Sequence, residues 1–108
     1  MRESSLWRQI KKNLPQVDWQ RIESGGTAQG IPDVNGCWNG REVWLELKVE
    51  GNTLSKWQKQ WAKRRRKAGG RVFVIWDRGT HITIEGDRLD YSLVKPIDWA
   101  LLMGVLFA

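Results

Sequence analysis

Residues 43–50 alternate strictly between apolar and polar positions, apart from one tryptophan on the polar side, and read VWLELKVE. A period of two is the spacing of a β-strand, in which successive side chains point to opposite faces of a sheet. One face of the predicted strand then carries Val43, Leu45, Leu47 and Val49, and the other carries Glu42, Trp44, Glu46, Lys48 and Glu50. The pattern therefore predicts a strand in which Glu46 and Lys48 lie side by side, ~7 Å apart.

A tight hairpin is predicted to join this strand to the preceding one. Asn39-Gly40 is a strong signal for a two-residue turn between residues 33–38 and 42–50. Asp33 then opens one strand while Glu46 lies on its antiparallel neighbour, so the two carboxylates can converge on one cation. Lys48 beside them would suit a substrate phosphate. The alternative explanation is a solvated strand face with an ion pair, which is common in half-exposed antiparallel sheets.

Composition restricts the kind of metal that such a site would hold. The chain has a single cysteine, Cys37, and a single histidine, His81. These counts exclude an internal disulfide and make a zinc site improbable, and we interpret both residues as ordinary strand positions. A site built mainly from carboxylates favours a hard cation such as magnesium or manganese.

Length and charge indicate the kind of partner. The 108 residues predict one domain, and 18 Lys and Arg against 12 Asp and Glu give a net charge of +6. A small basic domain favours a polyanionic partner, with nucleic acid first. The charged N-terminus does not resemble a secretory leader, and the apolar run 99–108 is too short to span a bilayer. We expect a soluble, cytoplasmic protein without membrane contact.

The first helix is predicted over residues 3–14, where Pro15 ends it. Its inward stripe comprises Trp7, Ile10 and Leu14, and extending that stripe places Glu3 on the same face. The alternative explanation for Glu3 is that an acidic side chain favours the positive end of the helix. A strand over 17–23 and a mobile loop over 24–30 follow.

The second half predicts a helix, two strands, a connector and a final helix. The helix over 54–68 begins with a capping box formed by Ser55 and Gln58. A buried strand over 72–76, parallel to its predecessor, precedes a strand over 80–85 and a connector over 86–96. The last helix, 98–107, begins at Asp98 and is apolar almost all round. It must either cover this chain's own sheet or form half of a dimer interface.

Eight tryptophans exceed what a core of this size needs. We expect Trp7, Trp61 and Trp76 to be buried. Three others could stack on bases or line an interface: Trp38, Trp44 and Trp57. Packing in the core and at its rim is the preferred explanation for most of the tryptophans. Helical spacing puts Trp57 on the same side as Trp61, which predicts that both pack against the sheet.

The ordered motifs resemble the VRR-NUC family of the PD-(D/E)XK nuclease superfamily. The resemblance covers residues 30–76: Gly-Ile-Pro-Asp at 30–33, Leu-Glu-Leu-Lys at 45–48, Gly-Asn-Thr-Leu-Ser at 51–55, Gln58, and Gly70 before the apolar strand. Pro-Asp or Glu-x-Lys alone is a weak signal, but the ordered set is strong. It implies an α/β fold with a restriction-endonuclease-like core, in which helices flank a mixed central β-sheet in αβββαβ order, with an extra C-terminal strand and helix.

The resemblance also implies roles for individual residues. Asp33 and Glu46 would ligate Mg²⁺ or Mn²⁺, with the backbone carbonyl of Leu47 as a third ligand. Lys48 would orient or help deprotonate the attacking water and stabilise the charge on the phosphorane. Gln58 matches a position at the edge of the active site, where its alternative role is the helix cap.

A further carboxylate is expected from the first helix, because many relatives carry a glutamate there. Glu3 is the residue that this sequence offers, and Glu23 near the end of the first strand is the competing candidate. We prefer Glu3 because its stripe faces inward.

The second helix carries a dense cationic run at its C-terminal end. Its members are Lys59, Lys63, Arg64, Arg65, Arg66 and Lys67. A solvated helix end that complements the helix dipole is one explanation, and contact with a phosphate backbone is our preferred one. Further cations could extend this surface: Arg8, Lys11, Lys12 and Arg21.

The short stand-alone length resembles phage and bacterial members of the family, which are similar to Holliday junction resolvases in assembly and substrate. This implies a magnesium-dependent endonuclease for branched DNA, acting as a homodimer in the bacterial cytoplasm, with residues 98–108 as the candidate interface. One alternative is a less selective nuclease for flaps, splayed arms or single strands. Another is a nucleic-acid-binding module without catalysis.

Overall fold

A computed structural model describes residues 4–22 and 30–108 of the chain. Glu3, Glu23 and most of the predicted loop over 24–30 lie outside the described residues. The described parts contain three helices, α1 Ser5–Asn13, α2 Lys56–Lys67 and α3 Trp99–Phe107. They contain six strands, β1 Asp18–Arg21, β2 Val34–Trp38, β3 Arg41–Val49, β4 Arg71–Asp77, β5 His81–Glu85 and β6 Asp90–Val94.

The strands form one mixed sheet in the order β1-β2-β3-β4-β5-β6. Only the β3–β4 pair among these strands is parallel, and α2 supplies the crossover between them. The turn between β2 and β3 has positive φ angles at Asn39 (51°) and Gly40 (75°), as a two-residue hairpin of type I′ requires. The predicted mixed sheet with flanking helices is confirmed.

The helices cover both faces of the sheet. On one face, α1 and α3 bury the main core against the odd-numbered residues of β3, such as Leu45. The helices contribute Ile10 from α1, and Leu102 and Leu106 from α3, to this core. On the other face, α2 packs Trp61 and Ala62 against Val72 of β4. Burial of Trp7 and Trp61 is confirmed, and Trp76 is partly buried.

One strand occupies the segment predicted as a connector. Residues 90–94 form β6, which pairs antiparallel with β5 along the edge of the sheet. Tyr91 and Leu93 give only a faint alternation there, and Asp87, Arg88 and Asp90 precede them. Four of the five residues of β6 are exposed, so its sequence lacks the apolar alternation that marks a half-buried strand.

The final helix covers this chain's own sheet. Asp98 caps α3 through a hydrogen bond from the Leu101 amide to its Oδ1 (3.0 Å). Leu102, Leu106 and Phe107 are buried in the main core, whereas Leu101 is 51% exposed. Of the two explanations for the apolar helix, packing on its own sheet is therefore observed, and a dimer interface stays a prediction. No helix in residues 4–22 and 30–108 has the length and apolar character needed to cross a bilayer.

Candidate active site

The hairpin register brings two carboxylates to neighbouring positions. Val34 of β2 pairs with Leu45 of β3, so one further step along both strands places Asp33 opposite Glu46. The Asp33 Oδ2 atom accepts a hydrogen bond from the Leu47 amide at 3.0 Å. Asp33 is therefore held against β3 by its own side chain at the point where the β2–β3 ladder ends.

Pro32 leaves a backbone oxygen of β3 without its ladder donor. Ile22 donates its amide hydrogen to the Asp33 carbonyl at 2.6 Å, so the Asp33 backbone faces β1 and that of Pro32 faces β3. Continuing the register places Pro32 opposite Leu47. Because proline has no N–H, it cannot donate to the Leu47 carbonyl. That oxygen lies beside the carboxylate pair and is suited to act as a cation ligand.

Glu46 is a buried carboxylate with one unsatisfied oxygen. Its residue is 4% exposed, and its Oε1 accepts a hydrogen bond from Gln58 Nε2 at 2.7 Å and lies 3.5 Å from Lys48 Nζ. Its Oε2 has no hydrogen-bond partner among the described residues. Burial, together with the charge of Asp33, raises the pKa of Glu46 to about 7 against the opposing effect of Lys48.

These donors fit a hard divalent cation. An unpaired buried carboxylate oxygen is costly unless it gains a proton or a cation. Asp33, Glu46 and the Leu47 carbonyl supply oxygen ligands only, which magnesium and manganese prefer. The described residues contain no group of three or more His, Cys, Asp and Glu side chains suited to a metal. Glu3 and Glu23, the candidates for a further carboxylate, lie outside them.

Asp77 is another carboxylate at this end of the sheet. It lines a small cavity together with Ser4 and Lys48. Its Oδ1 lies 2.8 Å from Lys95 Nζ and accepts a hydrogen bond from the Gly79 amide. Burial acts in the opposite direction, but these two donors lower the pKa of Asp77. Asp77 is thus engaged by Lys95, and we do not include it in the cation site.

The start of α2 completes the site. Ser55 and Gln58 form the predicted capping box, in which the Ser55 amide donates to Gln58 Oε1 at 2.8 Å. The Nε2 of the same Gln58 side chain donates to Glu46. Gly30 has a φ of 86°, and a Cβ there would overlap the carbonyl oxygen of Trp57. The first turn of α2 therefore lies directly against the segment that leads to Asp33.

The structure separates the cationic run on α2 into two groups. Arg65 lies over the rings of Trp61 (4.5 Å) and Trp44 (5.6 Å). Arg66 donates to the carbonyls of Val72 and Glu85, and its side chain is only 15% exposed. Arg66 is therefore engaged in packing, whereas Arg65 is exposed although its guanidinium lies over two rings. The remaining cations of the run are exposed as well: Lys59, Lys63, Arg64 and Lys67. Arg21, on β1, is partly buried.

Three exposed lysines follow one side of α2. Lys59, Lys63 and Lys67 are spaced four residues apart and line a surface groove of about 360 Å³. Val74 contributes to the groove and is the β4 partner of Glu46 in the sheet register. The groove therefore runs along α2 from the neighbourhood of the buried carboxylate.

Trp57 does not pack against the sheet, so that prediction is wrong. The residue is 51% exposed, whereas Trp61 one turn later is 6% exposed. Helix α2 faces the sheet through Gln58, Trp61 and Ala62, which leaves position 57 at the margin of the buried face. Helical spacing put the two tryptophans on one side but did not show where that side meets the sheet.

The fold is shared with a Holliday junction resolvase of known structure. A comparison with solved structures finds Archaeoglobus fulgidus Hjc, a Holliday junction resolvase from an archaeal hyperthermophile. The TM-score is 0.58 and the sequence identity 14%, over 94% of this chain and 100% of that chain. The predicted α/β, restriction-endonuclease-like fold is thereby confirmed. No protein-family model matches the chain, and no curated protein matches it, so membership of the VRR-NUC family stays a prediction.

Proposed function

We propose that this chain is a metal-dependent endonuclease of the PD-(D/E)XK type that hydrolyses phosphodiester bonds in branched DNA, such as Holliday junctions. The observation that carries the proposal is the buried Glu46, whose Oε2 has no hydrogen-bond partner in the described part of the chain and which shares its site with Asp33 and Lys48. The fold shared with a Holliday junction resolvase supports it. The motif order that resembles the VRR-NUC family supports it independently.

Asp33, Glu46 and the Leu47 carbonyl would hold Mg²⁺ or Mn²⁺, with Glu3 preferred over Glu23 as a further ligand. A bound cation of this kind lowers the pKa of water and neutralises charge on the phosphate oxygens. Asp33 is positioned for this by the hydrogen bond from the Leu47 amide. Gln58 orients Glu46 through Oε1, which leaves Oε2 for the cation.

Lys48 is the group that would act on the attacking water and the phosphate. Its ammonium lies 3.5 Å from Glu46 Oε1, and its side chain is 17% exposed. A charged lysine there can orient the water through a hydrogen bond and stabilise the additional negative charge of the phosphorane.

The exposed cations of α2 would hold the DNA backbone. Lys59, Lys63 and Lys67 line the groove beside the site, and Arg64 is exposed on the same helix. Nothing in these residues predicts reading of base edges, so we expect recognition of DNA shape rather than sequence. A homodimer would present two such sites for paired cuts across a two-fold axis.

A non-catalytic binding module is the competing function. Asp33 and Glu46 weigh against it, because two carboxylates close together repel a polyanion unless a cation lies between them. A less selective nuclease for flaps or single strands would use the same chemistry.

The test is a cleavage assay on a four-way junction, a flap, a duplex and a single strand, with magnesium or EDTA. Asp33→Asn should abolish cleavage and preserve or tighten DNA binding, because it removes one negative charge while leaving an oxygen to accept from Leu47. Asp90→Asn makes the same chemical change at an exposed position of β6 and should cut normally. Normal cleavage by Asp33→Asn would refute the assignment of the metal site.

A further inference from the structure

Trp57 is an exposed aromatic ring beside the candidate active site. It occupies the second position of α2, between Lys56 and Gln58, and is 51% exposed. Trp44 and Trp61 lie edge to face, with ring centroids 5.3 Å apart, in the core under α2. Trp57 belongs to neither core cluster of the described residues. Packing among residues 4–22 and 30–108 therefore does not account for a tryptophan at this position.

The backbone of Trp57 is fixed on two sides. Gln58 is locked by its bonds to Ser55 and Glu46. The Trp57 carbonyl lies against Gly30, where no side chain fits. The ring is therefore presented from a fixed first turn that borders Glu46 of β3 and the segment that leads to Asp33.

The charges around the ring complement a nucleotide. Lys56 Nζ lies over the Trp57 ring, 5.6 Å from its centroid. An exposed indole with an ammonium over its ring suits a nucleotide whose base stacks on the indole while its phosphate pairs with the lysine. Further along the helix, Lys59 and Lys63 continue the positive surface.

We propose that Trp57 stacks on an unpaired DNA base next to the scissile phosphate, with Lys56 on the phosphate of that nucleotide. The proposal rests on the nuclease function proposed above and names its substrate class. In a continuous duplex both faces of each base are covered by neighbouring bases. A stacking tryptophan therefore favours DNA whose base stack is interrupted at the cut, as at a branch point, a flap or a splayed arm.

Binding measured in the Asp33→Asn background, in EDTA, separates this role from cleavage. Adding Trp57→Ala should weaken binding to a four-way junction by about tenfold, since stacking of one base contributes an effect of that order. Binding to a continuous duplex of the same sequence should change less than about twofold on the same grounds. Trp57→Phe keeps an aromatic face and should recover most of the affinity. Leu89→Ala truncates a side chain that is 64% exposed and should leave both affinities unchanged.

A fluorescent base gives a direct readout. A junction that carries 2-aminopurine at the branch position reports stacking of that base. Its fluorescence should be quenched when the Asp33→Asn protein with Trp57 intact binds, and should not be quenched when Trp57→Ala is added. Thermal melting of each variant checks that the fold is retained, as expected for an exposed side chain.

Several results would overturn the proposal. If Trp57→Ala lowers the affinity for junction and duplex equally, or lowers neither, base stacking is excluded. If sedimentation shows that Trp57→Ala converts a dimer into monomers, the ring is a contact between copies of this chain. None of these outcomes depends on cleavage, so the nuclease function stands or falls separately on Asp33→Asn.

Discussion

Gln58 donates to Glu46 through Nε2 at 2.7 Å and accepts from the Ser55 amide through Oε1 at 2.8 Å. One amide side chain thus caps the helix and orients the buried carboxylate. The sequence alone presents these two roles of Gln58 as alternatives. The described geometry satisfies both at once, which makes the start of α2 part of the site.

Gln58→Ala should therefore lose activity as well as stability. Loss of the cap should cost about 1 kcal/mol of folding free energy. Loss of the bond to Glu46 should lower magnesium affinity or cleavage by roughly 10- to 100-fold, as for other groups that orient metal ligands. Ser55→Ala is the matched control, because it removes the cap hydroxyl and leaves the bond to Glu46. Urea unfolding and cleavage rates measure the two effects, and equal activities of the two variants would contradict the orienting role.

The raised pKa of Glu46 predicts a specific dependence of stability on pH. Between the ordinary value of 4.5 and about 7, folded Glu46 keeps a proton that the unfolded chain has lost. In the absence of a divalent cation, this group should therefore lower the free energy of unfolding as pH rises through that window. Across the whole window, the free energy of unfolding should fall by about 3 kcal/mol from this group.

Glu46→Gln isolates this contribution. Its stability relative to the unsubstituted chain in EDTA should increase from pH 5 to pH 8. Magnesium at pH 8 should stabilise the unsubstituted chain more than Glu46→Gln, because the cation binds the charged carboxylate. A stability difference that is the same at both pH values would contradict a buried, proton-binding Glu46.

The lysine groove predicts the salt dependence of DNA binding. Replacing Lys59, Lys63 and Lys67 with glutamine should reduce the slope of log affinity against log salt concentration by about 2.7, or about 0.9 for each phosphate that a lysine no longer neutralises. The fold should be unaffected, because all three residues are exposed. An unchanged slope would show that these lysines form a solvated helix surface and do not contact DNA phosphates.

Arg66→Gln provides the contrast. It would leave the carbonyls of Val72 and Glu85 without their guanidinium donor, at a cost of roughly 1–3 kcal/mol in stability. The salt slope should stay close to that of the unsubstituted chain. A large change in slope with little change in stability would place Arg66 among the phosphate-binding residues instead.

The structure identifies which leucine tests the predicted dimer. Leu102 is fully buried in this chain's own core, so Leu102→Glu should unfold the protein whatever its oligomeric state. Leu101 is 51% exposed on the same helix, so Leu101→Glu should keep the fold and dissociate a dimer formed through α3. Analytical ultracentrifugation distinguishes the outcomes, and a Leu101→Glu protein that remains dimeric would rule out this face.

The sequence predicted those parts of the fold that short-range patterns determine. Alternation identified β3, Asn39-Gly40 identified the hairpin, and Ser55 with Gln58 identified the start of α2. These signals act over two to four residues, so they do not depend on distant packing. The hairpin in turn made it possible to predict that Asp33 and Glu46 meet.

The remaining features depend on how elements meet in space. The helical spacing of α2 did not reveal that its contact with the sheet leaves Trp57 outside, or that Arg66 reaches carbonyls on two strands. Predicting that the Leu47 carbonyl lacks a ladder donor also requires knowledge of the β1–β2 hydrogen bonds, because these determine which way the Pro32 backbone faces. No local pattern encodes such relationships.

The two-residue turn at Asn39-Gly40 has a consequence far from its own position. Residues 33–38 and 41–46 are arms of equal length, so the turn sets two carboxylates level with each other about 20 Å away. Inserting one residue into either arm next to the turn would shift the residues beyond it by a single step and send either Asp33 or Glu46 to the opposite face of the sheet. Such a change, remote from any phosphate, would dismantle the metal site while leaving every one of its residues in the chain.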